Sequence, residues 1–139
     1  MDISRVRAGL GAAAGTVVSD PPLTTFGYVP DAFEAPCFFP AEVDVDFTGA
    51  FGRGLDELMV TCRVLVGTAD DRASQQLLDG YLSGAGPASL KQALEADSTL
   101  GGACDDLMVL RVQGYRYYEH TGTKYVGAEL VVKVIGDGS

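Results

Sequence analysis

The fold is decided by the stretch Asp105-Asp106-Leu107-Met108-Val109-Leu110-Arg111-Val112-Gln113-Gly114-Tyr115-Arg116-Tyr117-Tyr118-Glu119, the turn-like His120-Thr121-Gly122-Thr123, and the run Lys124-Tyr125-Val126-Gly127-Ala128-Glu129-Leu130-Val131-Val132-Lys133-Val134-Ile135. Two runs rich in β-branched and aromatic residues around a short Gly-containing loop predict a β-hairpin. Strands usually hold about 5–6 residues. Twelve residues at about 3.3 Å each reach about 40 Å. A hairpin of that length needs something to cover it. Val126, Ala128, Leu130, Val132 and Val134 form its most continuous apolar face.

Upstream of the hairpin, Leu58, Val60, Cys62, Val64 and Val66 alternate as the core face of another strand, with Thr61 and Arg63 opposite. Ala41 to Phe47 alternates too: Val43, Val45 and Phe47 face one way, Glu42, Asp44 and Asp46 the other. The Gly-rich stretch 48–54 turns between these strands. Thr68 or Asp70 is placed to cap a helix running to about Leu82, and a shorter helix spans about Ala88 to Ala96. Asp97 to Cys104 is a loop centred on Gly101-Gly102. At the other end, Ile3, Val6, Leu10 and Ala13 mark an amphipathic helix that Asp2 caps and that Gly9 and Gly11 weaken. Between that helix and the first strand, Ser19 to Pro40 reads as irregular. It holds five of the six prolines and the rings Phe26, Tyr28, Phe33, Phe38 and Phe39. A loop of this length is often functional; its rings can pin it over the domain or over a neighbour. Residues 1–139 therefore read as one α+β domain: an antiparallel sheet with helices on one face and a long C-terminal hairpin.

The chain is 47% hydrophobic and 21% charged, which suits a globular core. With 19 acidic and 10 basic residues its formal charge is −9, a poor basis for gripping nucleic-acid phosphates. Cys37, Cys62 and Cys104, odd in number and scattered, match neither a disulfide framework nor a zinc site, and a reducing compartment is the simplest reading. Arg5 and Arg7 precede a Gly/Ala-rich stretch too weakly apolar for a signal peptide. No run approaches the roughly 18 apolar residues that span a membrane.

No catalytic, metal or cofactor site is expected. Gly9-Leu10-Gly11-Ala12-Ala13-Ala14 fits a relaxed dinucleotide pattern but lacks the strand before it. His120, the single histidine, sits in the hairpin turn far in sequence from any nucleophile, and reads as an exposed loop residue. Glu42, Asp44 and Asp46 are spaced for acid/base work or a hard cation, yet no convergent ligands accompany them. They fit a solvated or pore-facing strand better. Tyr115, Arg116, Tyr117, Tyr118, Lys124 and Tyr125 cluster at the hairpin end. Tyr and Arg favour protein interfaces, and cross-strand pairing explains them equally well.

Ser89-Leu90-Lys91-Gln92-Ala93-Leu94-Glu95-Ala96-Asp97-Ser98-Thr99-Leu100-Gly101-Gly102, followed by Cys104-Asp105-Asp106 and a long strand, carries a resemblance. With Leu58–Val66 and Thr68-Ala69-Asp70-Asp71 ahead of it, the stretch from about Asp56 to Val134 resembles the tail terminator proteins of long-tailed (siphovirus-type) bacteriophages. Other neck and tail-completion proteins are similar too. The resemblance implies a non-enzymatic virion protein, assembled in the host cytoplasm, that forms a usually six-fold homo-oligomeric ring. Such a ring ends the tail tube and meets the head connector proteins, and DNA passes through its lumen without specific binding. The hairpin-end residues then form the contact with a neighbouring protomer or ring, and Glu42, Asp44 and Asp46 face the lumen. The alternatives are a head-tail connector or tail-completion protein and, in a different class, a small acidic ligand-binding domain or hydrolase using Glu42, Asp44 and His120.

Overall fold

The long hairpin forms, and it is the spine of the sheet. A computed structural model of the chain describes residues 2–19, 21–46, 55–68 and 72–137. In chain order these form helix α1 (Ile3–Ala14), strands β1 (Thr24–Thr25), β2 (Cys37–Asp46) and β3 (Leu55–Thr68), helices α2 (Arg72–Leu82) and α3 (Leu90–Ala96), a 3-10 turn (Leu100–Gly102), and strands β4 (Asp106–His120) and β5 (Thr123–Asp137). The expected turn over 48–54 and the cap at Asp70 lie outside the described residues.

The strands line up as β1-β2-β3-β5-β4. Thr121 (φ 49°) and Gly122 (φ 86°) make the two-residue turn between β4 and β5. Positive φ at both positions is what a tight hairpin turn needs. β5 then inserts between β3 and β4 and pairs antiparallel with both along most of its length. This explains the length of the hairpin: β3 supports β5 almost from end to end. The sheet is α+β as expected but mixed rather than wholly antiparallel. The two residues of β1 run parallel to β2 at Cys37 and Phe38, because the Pro-rich loop returns along the edge instead of turning tightly.

β2 starts earlier than its alternation suggests. Cys37 to Pro40 are buried on both faces of the sheet, so no polar residue marks an outer face, and the flanking prolines read as loop. Ala41 sits at a bulge between Pro40 and Glu42, after which the expected alternation resumes. Pro40 is tolerated because β2 lies near an edge.

All three helices cover one face. Val6 and Leu10 of α1, Leu78 and Tyr81 of α2, and Leu90 and Leu94 of α3 pack on Leu58, Val60, Cys62, Val64, Ala128, Leu130, Val132 and Val134. Burying each Leu or Val contributes about 1.5–3 kcal/mol before entropy costs. Asp2 caps α1 by accepting from the Arg5 N–H at 3.3 Å, and Ser89 caps α3 through the Gln92 N–H at 3.1 Å. Gly9 and Gly11 have a packing role: a Cβ at Gly9 would lie 2.8 Å from Leu100 Cβ, and one at Gly11 2.8 Å from the Phe26 carbonyl oxygen. Their helix-weakening lack of a side chain is what lets α1 dock.

Candidate interaction site

β4 ends one side of the sheet, and among the described residues no strand pairs with its outer edge. Alternate backbone groups of an antiparallel strand point away from its partner. Fifteen residues of β4 thus offer a row of outward N–H and C=O groups. The same strand displays Met108, Leu110, Val112, Tyr115 and Tyr117, each 40–48% exposed. Edge strands are normally short, charged or covered, since an apolar edge is a template for another strand. Here one point is covered. Glu95 of α3 reaches over the edge, and its Oε2 accepts the Val109 N–H at 3.0 Å. Burial alone would raise the Glu95 carboxyl. The hydrogen bond and charge of Lys91 and the Val109 N–H outweigh it and hold the group below its ordinary value. Beyond Val109 no strand among the described residues pairs with the edge.

A second bulge, between Gln113 and Arg116, sorts the hairpin-end residues. Gly114 takes φ 65° there. Tyr115 falls on the helix side and donates its hydroxyl to Asp79 of α2 at 3.0 Å; burial and the Asp79 carboxylate raise the phenol. Arg116 and Tyr118 fall on the opposite, open face. Tyr118 is 6% exposed and does not present itself to a partner. Its ring lies between two guanidiniums, Arg63 at 4.6 Å and Arg116 at 4.5 Å. Its hydroxyl donates to the Gly114 carbonyl at 2.6 Å. Burial and Glu129 raise its phenol against the lowering effect of the two arginines. Tyr118 therefore holds Arg116 in place, and Arg116 itself is exposed. Tyr125 is half-buried against Phe33, with ring centroids 5.0 Å apart. Lys124 is exposed beside the turn, across from Glu119.

The open face has an ordered charge layout. In its middle, Arg63 of β3 pairs with Glu129 of β5 at 2.8 Å, and Gln113 of β4 also reaches Glu129. Lys133 pairs with Glu57 at 2.9 Å. At the β2 side stand Glu42, Asp44 and Asp46, all exposed, level with Thr61, Met59 and Glu57. At the β4 side stand Arg111 and Arg116. No ion pair among the described residues takes Glu42, Asp44, Arg111 or Arg116. The central charges cancel in pairs, and the two edges keep opposite signs. Glu129 is a missed residue of this layout. Its signal was a lone acid in the apolar run 126–135, on the same strand face as Lys133.

The Pro/aromatic loop lies over the domain. Phe26 and Phe33 pack on a second cluster, Cys37, Phe39, Leu65 and Tyr118, at the turn end of the open face. His120 belongs to this cluster and is not an exposed loop residue. Its Nε2 lies 2.7 Å from the Pro30 carbonyl, which only accepts, so Nε2 carries the proton. Its ring stands 5.0 Å from Phe33 and 5.9 Å from Phe39. Phe39 is on β2 and His120 on β4. With two strands between them, a flat sheet would hold their backbones at least about 14 Å apart. The sheet is thus curled toward its open face. The Nε2 contact of His120 is with the loop carbonyl, and no hydrogen bond joins it to Glu42 or Asp44 among the described residues.

Other features offer little chemistry. All three cysteines are buried and unpaired; burial pushes the Cys37 thiol up to about 12 and raises Cys62 further. Among the described residues no group of His, Cys, Asp and Glu is placed to hold a metal ion, and no helix is long and apolar enough to cross a membrane. A groove of about 510 Å³ between the end of α1 and the α2–α3 connection, with Val17, Val18, Pro87 and Ala93 on its walls, has no charged lining residue. No family model matches the chain, and no curated protein matches it.

Proposed function

We propose that this protein is a structural component of a long-tailed phage particle, a tail terminator that assembles into a ring at the end of the tail tube and meets the head connector. The observation that carries the reading is the open β4 edge, long, apolar and interrupted at one point by Glu95. A strand edge of this kind is completed by another chain. Contacts between different surfaces of identical copies close into rings when the rotation permits. The formal charge of −9 suits a lumen through which DNA must slide, because an acidic surface repels phosphates. The exposed hairpin-end residues Tyr115, Arg116, Tyr117 and Lys124 are then available to a neighbouring protomer or ring.

Light scattering coupled to size exclusion, with negative-stain images, tests the reading. A discrete ring of defined mass is expected, and a strict monomer across concentrations overturns it. In the phage, loss of the protein should give overlong or headless tails. Co-assembly with the portal side instead of the tail tube would move it to the head-tail connector or tail-completion class.

A further inference from the structure

The two edges of the sheet fit each other. We infer that the β4 edge of one copy takes the β2 edge of the next, continuing the sheet head to tail, with Arg116 facing Glu42 and Asp44 across the seam. The inference rests on the ring reading above and specifies its contact.

Four observations converge. First, the charges are complementary and lie on the same face: Arg111 and Arg116 at the β4 edge, Glu42 and Asp44 at the β2 edge, all exposed. Opposite charges across adjacent strands stabilise a pairing, and like charges oppose it. A two-fold pairing of β4 with a second β4 about the middle of its open stretch would set Arg116 against Arg116 of the second copy, so the self-pair is disfavoured.

Second, the directions agree. Each neighbouring pair from β2 through β3 and β5 to β4 is antiparallel. β4 therefore runs opposite to β2, and copies related by a rotation that preserves strand direction meet as an antiparallel pair. Third, the apolar sides agree: Val43 and Val45 of β2 are half-buried on the helix side, as Val112 of β4 is exposed on that side.

Fourth, the obstructions set a stagger, and the stagger is one that closed sheets adopt. β1 pairs with β2 at Cys37 and Phe38, and among the described residues no strand pairs with the outer edge of its later half. Glu95 covers β4 at Val109, leaving Arg111 onward. Arg116 is level with Gly127 of β5, whereas Val43 is level, through Val60, with Val132. The open stretches are thus offset by about five residues, or about 17 Å along the strands. Four strands at about 4.8 Å span about 19 Å. The strands of such an assembly tilt by about 40° to its axis, inside the range of about 35–45° that sheet closure requires. The curl of the sheet toward its open face, where Phe39 and His120 meet, has the sense needed to put that face inside.

Two double variants test the contact. R111E with R116E makes both edges acidic; E42R with D44R makes both edges basic. Each is purified, checked for folding by far-UV circular dichroism and thermal melting, and weighed by light scattering. Each alone should lose the assembled species, with its dissociation constant raised at least about tenfold. Mixed in equal amounts they should regain it, because the acidic β4 of one then meets the basic β2 of the other. A wild-type assembly that both variants retain unchanged, or variants that fold, dissociate and stay apart on mixing, overturns the edge pairing and leaves the ring reading standing. Assembly lost only on arginine reversal favours the two-fold β4 pair and also overturns it. A wild-type monomer at all concentrations overturns the ring reading itself.

Discussion

The Arg63–Glu129 pair sits at the centre of the open face, and its removal has a calculable cost. Glu129 keeps 9% of its side-chain exposure and Arg63 23%, with 2.8 Å between them. Arg63 Nε is buried and among the described residues has no hydrogen-bond partner, so its guanidinium depends on Glu129 and on the Tyr118 ring. Removing one partner of a fully buried pair costs about 3–5 kcal/mol. Solvent reaches part of Arg63 and takes up some of the released charge, which reduces the expected cost of Glu129→Leu to about 2 kcal/mol. Arg63→Met strands a nearly buried carboxylate whose remaining side-chain donor, Gln113, is 3.4 Å away. It also removes a cation–π contact worth about 0.5–1 kcal/mol, so about 2–3 kcal/mol is expected. The double variant leaves neither charge behind and should cost about 2 kcal/mol in all, well below the sum of the singles. Urea unfolding at one fixed protein concentration measures the cycle, because association adds stability by mass action. In thermal melts each single variant should fall by about 4–9 °C. Additivity of the two singles within about 0.5 kcal/mol would refute the reasoning, since it would mean that the charges do not depend on each other.

Gly114→Ala should destabilise by more than the roughly 1–2 kcal/mol of a left-handed residue, because the new Cβ would also run into the Tyr118 hydroxyl; a urea midpoint shifted by less than that would sink the bulge argument. The three buried thiols should ignore a disulfide reagent at pH 8 in the folded protein and all react on unfolding, since Cys37, raised to about 12, stays protonated there; rapid native labelling of Cys37 or Cys62 would contradict their burial. Glu95→Gln tests the edge cover by pH. A lowered folded value means that the carboxylate stabilises the fold above its ordinary 4.5 and that this contribution fades as the pH falls through the folded value. The stability gap between wild type and variant should therefore be present at pH 7 and close in acid, whereas a constant gap would rule the linkage out.

Local pattern revealed most of this architecture, and pairing order accounts for what it hid. The alternation of Val43 and Val45, of Val60, Cys62 and Val64, and of Val126 to Val134 announced strands because one face of each is covered by helices. Cys37 to Pro40 did not announce a strand because both of their faces are buried, which removes the alternation. The α1 glycines looked like weaknesses because the surfaces they admit, Leu100 and the Phe26 carbonyl, are distant in sequence.

The candidate interaction site was half legible for the same reason. Its residue types stood out, with the tyrosines and Arg116 near the turn and the acids at Glu42 and Asp44. Which strand forms the edge depends on β5 inserting between β3 and β4, a nonlocal event. A trace of it is present in composition: Val126 to Val132 is buried without interruption, as in a central strand, whereas β4 exposes residues of both parities. Reading that contrast makes β4 the edge before any pairing is known. The bulge at Gly114 is harder to read, and it has the larger consequence: it turns Tyr118 inward as a clamp and leaves Arg116 outside. An edge held in this way presents a fixed positive charge beside open backbone groups, which favours a strand bearing acids over a merely apolar one.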